Sequence, residues 1–137
     1  MERKSNSEFR EELELRTKAF SVGVFKYLDA LPKKTSSNII AFQLGKSASS
    51  IGANYREATR AESREDFGHK LQIALKEAAE SCYWIEILRE LYPTHQTLQL
   101  LGEEASSLRN LLQVISKRVR QKQPKQPNNQ TTQTIYL

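Results

Sequence analysis

The chain has 137 residues, a formal charge of +5, five Gly, four Pro and a single cysteine, Cys82. That length supports one hydrophobic core and one domain, a lone cysteine excludes an intramolecular disulfide, and no apolar run approaches the roughly 18 residues that span a bilayer. The charged stretch from Met1 to Glu14 does not resemble a signal peptide, so a soluble protein of the reducing cytoplasm is expected. The excess of Lys and Arg permits anionic partners, although a mild excess is also common on proteins that bind no polyanion.

The predicted elements are all helical. Phe9, Leu13, Phe20, Val24, Tyr27 and Leu31 recur at spacings of three, four and seven, which predicts a first helix over about 7–31 that ends at Pro32. Thr35, Ser36, Ser37 and Asn38 offer capping oxygens to a second helix over 36–60, whose face is Ile40, Leu44, Ala48, Ile51, Tyr55 and Ala58. Ser63 with Asp66 three residues on resembles a capping box and opens a third helix over 64–92, marked by Phe67, Leu71, Ala74, Ala78, Ile85 and Leu88. Pro93 stops it, and Thr94 is placed to cap a fourth helix over 95–121. There Leu98, Leu101, Ala105, Leu108, Leu112, Ile115 and Val119 form an unbroken bundle seam. Short connections between long helices predict an antiparallel up-down-up-down four-helix bundle over 1–121. The polar Gln/Asn/Thr segment 122–137 cannot bury enough surface to offset its ordering entropy and is expected to be disordered, with Ile135, Tyr136 and Leu137 either incidental or a short docking element.

Two stripes exceed what one core face needs. Ile73, Glu77, Glu80, Trp84, Ile87 and Leu91 widen the apolar arc of the third helix, and Ala41, Gly45, Ala48 and Gly52 form a small-residue stripe on the second. Each interior Gly costs about 1 kcal/mol against Ala, which close approach of a neighbouring backbone would offset. Either stripe serves the chain's own core or meets another subunit, and Tyr83 beside Trp84 favours a contact surface. The expected subunit interface is therefore Gly45, Gly52, Ile73, Tyr83, Trp84, Ile87 and Leu91.

Chemistry-bearing patterns are sparse. Glu77 and Glu80 share a helical face, but the only approximation to a bundle metal motif is Asp66-Phe67-Gly68-His69, so a metalloenzyme is a remote reading. There is no Gly-rich phosphate loop, no Ser/Cys-His triad and no spaced cysteine pair. No catalytic residue, metal or cofactor is expected. A carboxylate on a partly apolar face needs a partner, so Asn54, Glu57, Glu77 and Glu80 are read as a structural polar network that fixes helix register.

The run Ser47-Ala48-Ser49-Ser50-Ile51-Gly52-Ala53-Asn54-Tyr55-Arg56-Glu57-Ala58, then Ser63, Asp66-Phe67, Lys70, Ile73-Ala74-Leu75-Lys76-Glu77-Ala78, Glu80 and Tyr83-Trp84, carries a family resemblance. It resembles the bacterial four-helix-bundle family encoded in intervening sequences of large-subunit ribosomal RNA genes. That family includes the accessory variability determinant of diversity-generating retroelements, which binds nucleic acid and a reverse transcriptase. The resemblance implies a homopentamer without catalytic activity, and it casts Asn54, Glu57, Glu77 and Glu80 as bundle-defining residues.

The function expected is nucleic-acid binding, RNA or DNA, by a basic oligomer; the alternative is a protein adaptor that docks onto a reverse transcriptase. Charge is segregated along the chain: between Pro32 and Arg60, Lys33, Lys34, Lys46, Arg56 and Arg60 face only Glu57, whereas the stretch from Glu62 to Tyr92 is net acidic. An up-down-up-down bundle gathers Arg3, Lys4, Arg56, Arg60, Arg64, Lys117, Arg118, Arg120 and Lys122 at one pole. Of these, Arg56, Arg60, Arg64, Lys117, Arg118, Arg120 and Lys122 are the expected nucleic-acid-binding residues. Two readings of Lys117 to Lys122 stay open, phosphate binding or simple complementation of the helix dipole, and Glu62, Glu65 and Asp66 weaken the field there.

Overall fold

The computed structural model describes residues 3–121; the expected disordered tail, including Lys122, lies outside them. The described residues form four α-helices, α1 Asn6–Asp29, α2 Thr35–Thr59, α3 Arg64–Leu91 and α4 Gln96–Gln121, with no strand. Each helix packs on its neighbours in sequence and α4 returns to α1, closing a square ring in which α2 against α3 is the most extensive contact and α1 against α4 the slightest. Glu14 meeting Thr59 and Phe25 lying over Gly45 make α1 and α2 antiparallel. Glu57 bridges to Lys70 while Ser47 meets Ser81, which reverses α3 relative to α2 in the same way.

The core is the sequence pattern in space. Leu13, Phe20, Val24, Ile40, Leu44, Ile51, Tyr55, Leu71, Ile85, Leu88, Leu98, Leu108 and Leu112 are buried, with Phe67, Leu101, Ile115 and Val119 packed partly against them. Ser63 caps α3 as expected, its Oγ accepting from the Asp66 N–H at 3.1 Å. Ser5 does the same for α1 through Glu8 N–H, also at 3.1 Å.

Several expectations are corrected. The cap of α2 is extended Lys34, without a side-chain bond, and Thr35 to Asn38 already lie inside the helix. Ser37 is buried there, its hydroxyl 3.1 Å from that of Tyr92, so it ties α2 to the end of α3 instead of capping. The first helix ends at Asp29, although Leu31 beyond it is still buried. Helix α4 begins after His95, whose carbonyl accepts from Gln99 N–H, and leaves Thr94 in the turn. Phe9 is exposed because α1 outruns its partner: α2 ends at Thr59, level with Glu14, so the first turns of α1 project beyond it.

Gly45 and Gly52 do not face outward. A β-carbon on Gly52 would stand 3.0 Å from Thr17 Oγ1, and one on Gly45 would stand 3.1 Å from Phe25 Cε1. The small stripe of α2 therefore seats the chain's own α1, where Ser21 Oγ also donates to the Ala48 carbonyl at 3.2 Å. Close backbone approach is realised within the subunit, which removes these two glycines from the expected subunit interface.

Candidate nucleic-acid interface

The antiparallel ring brings the start of α1, the α2–α3 turn and the end of α4 to one pole. Contacts fix this arrangement: Gln72 Nε2 donates to Ser116 Oγ, and Val119 lies 3.4 Å from where a Gly68 β-carbon would stand. Arg60, Arg64, Lys117, Arg118 and Arg120 are exposed there, and Arg56 is half-buried one turn back on α2. Arg60, Lys117, Arg118 and Arg120 make no ion pair with the described residues. Lys4 is tied to Glu12 at 2.6 Å. A shallow groove lined by Gln113, Lys117, Arg120 and Gln121 opens on this end of α4. Glu8, Glu11 and Glu12 at the start of α1 and Glu62, Glu65 and Asp66 at the α2–α3 turn are exposed at the same pole and reduce its field. Lys33 and Lys34 mark the opposite pole.

The wide side of α3 forms a second surface. Tyr83 is exposed and stacks on half-buried Trp84 with ring centroids 5.3 Å apart and 17° between planes. Ile73 and Ile87 are half-buried and Leu91 is exposed along the same arc. Glu77 sits among them, and its carboxyl is raised above its ordinary value by burial, then by the charge of Glu80 beside it, against the opposing pull of Lys76 and Lys46. Trp84 Nε1–H points to Glu80 Oε1 at 3.5 Å.

The four polar residues expected to form one network divide. Asn54 Nδ2 donates to the Ser50 carbonyl of its own helix at 2.8 Å, and Glu57 pairs with Lys70 at 2.8 Å. Among the described residues neither bonds to Glu77 or Glu80, because each has a nearer partner. The register of α2 on α3 is instead marked by the buried pair Ser47 and Ser81, whose hydroxyl oxygens lie 3.0 Å apart. Asp66 and His69 are both exposed at the start of α3, and among the described residues no group of three His, Cys, Asp or Glu side chains is arranged to hold a metal ion. Cys82 is a buried free thiol, and no described helix is long and apolar enough to cross a membrane.

Sequence reasoning missed the α1–α2 side, where Phe25 and Phe42 stand exposed. The signal was present: Phe42 falls out of phase with the buried series Ile40, Leu44, Ile51.

The raised Glu77 carboxyl has a signed consequence. Folded protein holds that proton to higher pH than the unfolded chain, so ionising Glu77 opposes folding above the usual carboxylate value of about 4.3 and costs nothing well below it. Glu77→Gln is expected to melt above wild type at neutral pH, with the difference vanishing near about pH 3 as both side chains become neutral. Equal melting temperatures at neutral pH would contradict this assignment.

The fold and its surfaces define a small all-α bundle with a cluster of Arg and Lys among carboxylates at one pole and a broad, partly apolar arc along α3. The chain belongs to the 23S rRNA-intervening sequence protein family, whose model matches residues 11–114. It is similar in structure to a protein of unknown function from the S23 ribosomal protein family of Bacteroides thetaiotaomicron, with a TM-score of 0.69 and 33% identity over 76% of this chain and 97% of that one. Comparison with curated proteins returned no match.

Proposed function

We propose that the protein is a non-enzymatic, homo-oligomeric, basic bundle of the cytoplasm that binds nucleic acid through the pole formed by the α2–α3 turn and the end of α4. The observation that carries this reading is the convergence there of Arg60, Lys117, Arg118 and Arg120, all exposed and none ion-paired with the described residues. A pentameric ring, as the family resemblance implies, would repeat the cluster in every subunit. The family's name, which refers to 23S rRNA, adds support for a nucleic-acid setting. A ring closes through unlike faces of successive subunits. The α3 arc of Ile73, Tyr83, Trp84, Ile87 and Leu91 supplies one face. The other is the opposite side of the bundle, where Leu100 and Val114 stand exposed seven residues either side of Ser107, the α4 residue that meets Arg16 of α1. A second reading, a protein adaptor docking a reverse transcriptase, draws on the same exposed apolar arc.

Phosphate contacts and helix-dipole complementation make different predictions for the α4 cations. If they contact phosphate, Arg118→Gln with Arg120→Gln should weaken binding to RNA and DNA of any sequence and lower the slope of log affinity against log salt by about 2. Lys33→Gln with Lys34→Gln, at the far pole, should leave binding nearly unchanged. Fluorescence anisotropy over a salt series reads both. Wild-type affinity in the Arg118/Arg120 variant, with assembly intact, would remove the pole as the binding surface.

A further inference from the structure

The α1–α2 side carries aromatic rings that no core position explains. Phe42 is 67% exposed and Phe25 46%. Phe25 lies across Gly45, which has no side chain to lift it away, and Gly45 is one helical turn from Phe42, so the two rings occupy neighbouring places along the α1–α2 seam. Toward the basic pole the same side of the bundle carries Lys18 on α1 and Arg56 and Arg60 on α2, whereas Lys46, one turn after Phe42, turns toward α3, where its charge acts on Glu77. None of Lys18, Arg56 and Arg60 makes an ion pair with the described residues. The acidic groups bordering the strip are Glu11, Glu14, Asp29 and Glu57. Glu14 accepts the Thr59 hydroxyl at 2.9 Å, and Glu57 is neutralised by Lys70 at 2.8 Å.

Two neighbouring exposed rings followed by cations suit a ligand with flat, unstacked bases and a phosphate backbone. A duplex offers the phosphates but hides the base faces, whereas a single strand offers both. The other exposed aromatic pair does not fit that ligand, because Tyr83 and Trp84 stack on each other beside Glu77 and Glu80, which would repel phosphate. From Arg56 to Phe42 the helix advances about 21 Å, room for several nucleotides of extended strand.

We infer that the α1–α2 face is a single-stranded nucleic-acid track continuous with the basic pole, in which Phe25 and Phe42 stack bases and Lys18, Arg56 and Arg60 hold phosphates. This rests on the nucleic-acid reading above and adds the class of strand and its path. A second copy of the chain and an anionic membrane are the other occupants such a face could take, and the test separates them.

The full chain is titrated against labelled oligo(U) and oligo(dT) and against a hairpin duplex of equal length. Wild type should prefer the single strands. Phe25→Ala with Phe42→Ala should weaken single-strand binding about tenfold for each ring lost, with duplex binding unchanged. Phe42→Ala alone, at the more exposed ring, should show its share without perturbing the fold, and Phe42→Trp should restore affinity. Single-strand affinity that survives in the double variant, while Arg118→Gln with Arg120→Gln still weakens binding, overturns the track and leaves the pole. Absence of wild-type binding to any of the probes overturns the nucleic-acid reading itself. Loss of assembly in the double variant, or loss of binding to phosphatidylserine vesicles with single-strand binding intact, reassigns the face and overturns the inference.

Discussion

Replacing Gly52 by leucine is expected to lower the unfolding free energy by about 3 kcal/mol, at the upper end of what overpacking costs. Even a single added carbon would stand 3.0 Å from Thr17 Oγ1, 3.3 Å from its Cβ and 3.6 Å from its carbonyl carbon. Thr17 cannot yield: it is buried and β-branched, and its hydroxyl lies 2.9 Å from the Leu13 carbonyl and 3.0 Å from that of Glu14. The leucine must therefore push α1 off α2. Gly102 provides the contrast. A methyl there would land on the Arg89 guanidinium, the free end of a flexible side chain whose one described bond is a 3.2 Å contact to the Gln99 carbonyl. Arg89 swings aside, and the gain of about 1 kcal/mol in helix propensity leaves Gly102→Ala neutral or stabilising. Urea unfolding of both variants checks the pair, and equal losses at the two glycines would refute the argument from neighbour rigidity.

Trp84→Ala is expected to dissociate the proposed assembly at micromolar concentration, because a central aromatic anchor contributes about 2 kcal/mol or more to a subunit contact. Half of Trp84 rests on the bundle core and half faces outward beside Tyr83, so a melt must accompany light scattering to show that subunits remain folded. Phe42→Ala removes a similarly hydrophobic ring from the α1–α2 side and should leave assembly intact. A wild type that is monomeric, or a Trp84→Ala variant that assembles as wild type does, would eliminate the α3 arc as the contact.

The helices were legible because Pro32 and Pro93 punctuate them and because each core face keeps one phase; Leu98, Leu108 and Leu112 are buried as their spacing requires. Capping was legible only where no tertiary partner competed. Ser63 caps, whereas Ser37 is taken by Tyr92 from another helix, a contact 55 positions distant that no local window reveals. The small stripe on α2 was visible, but periodicity says only that something approaches closely, not whether it is α1 or another copy. The basic pole followed from topology plus charge. The α1–α2 rings did not, since a search for buried phases passes over apolar residues that fall between them. The polar network was over-read for a related reason: Asn54 lies on the expected side of α2 and still spends its amide on the Ser50 carbonyl of its own helix.

The slight contact between α1 and α4 makes the bundle unequal in time as well as in space. Helix α1 leans on α2 through Thr17 and Ser21, but across its other flank Arg16 reaches Glu104 at 2.7 and 2.9 Å and Ser107 at 2.7 Å, with Leu101 packing near Gly23. Helices α2, α3 and α4 share larger seams. Local opening follows the cheapest boundary, so α1 is the segment that detaches before the rest unfolds. Its amide hydrogens should exchange with deuterium ahead of those in α2 and α3, and their protection should fall further when Arg16 is replaced by alanine.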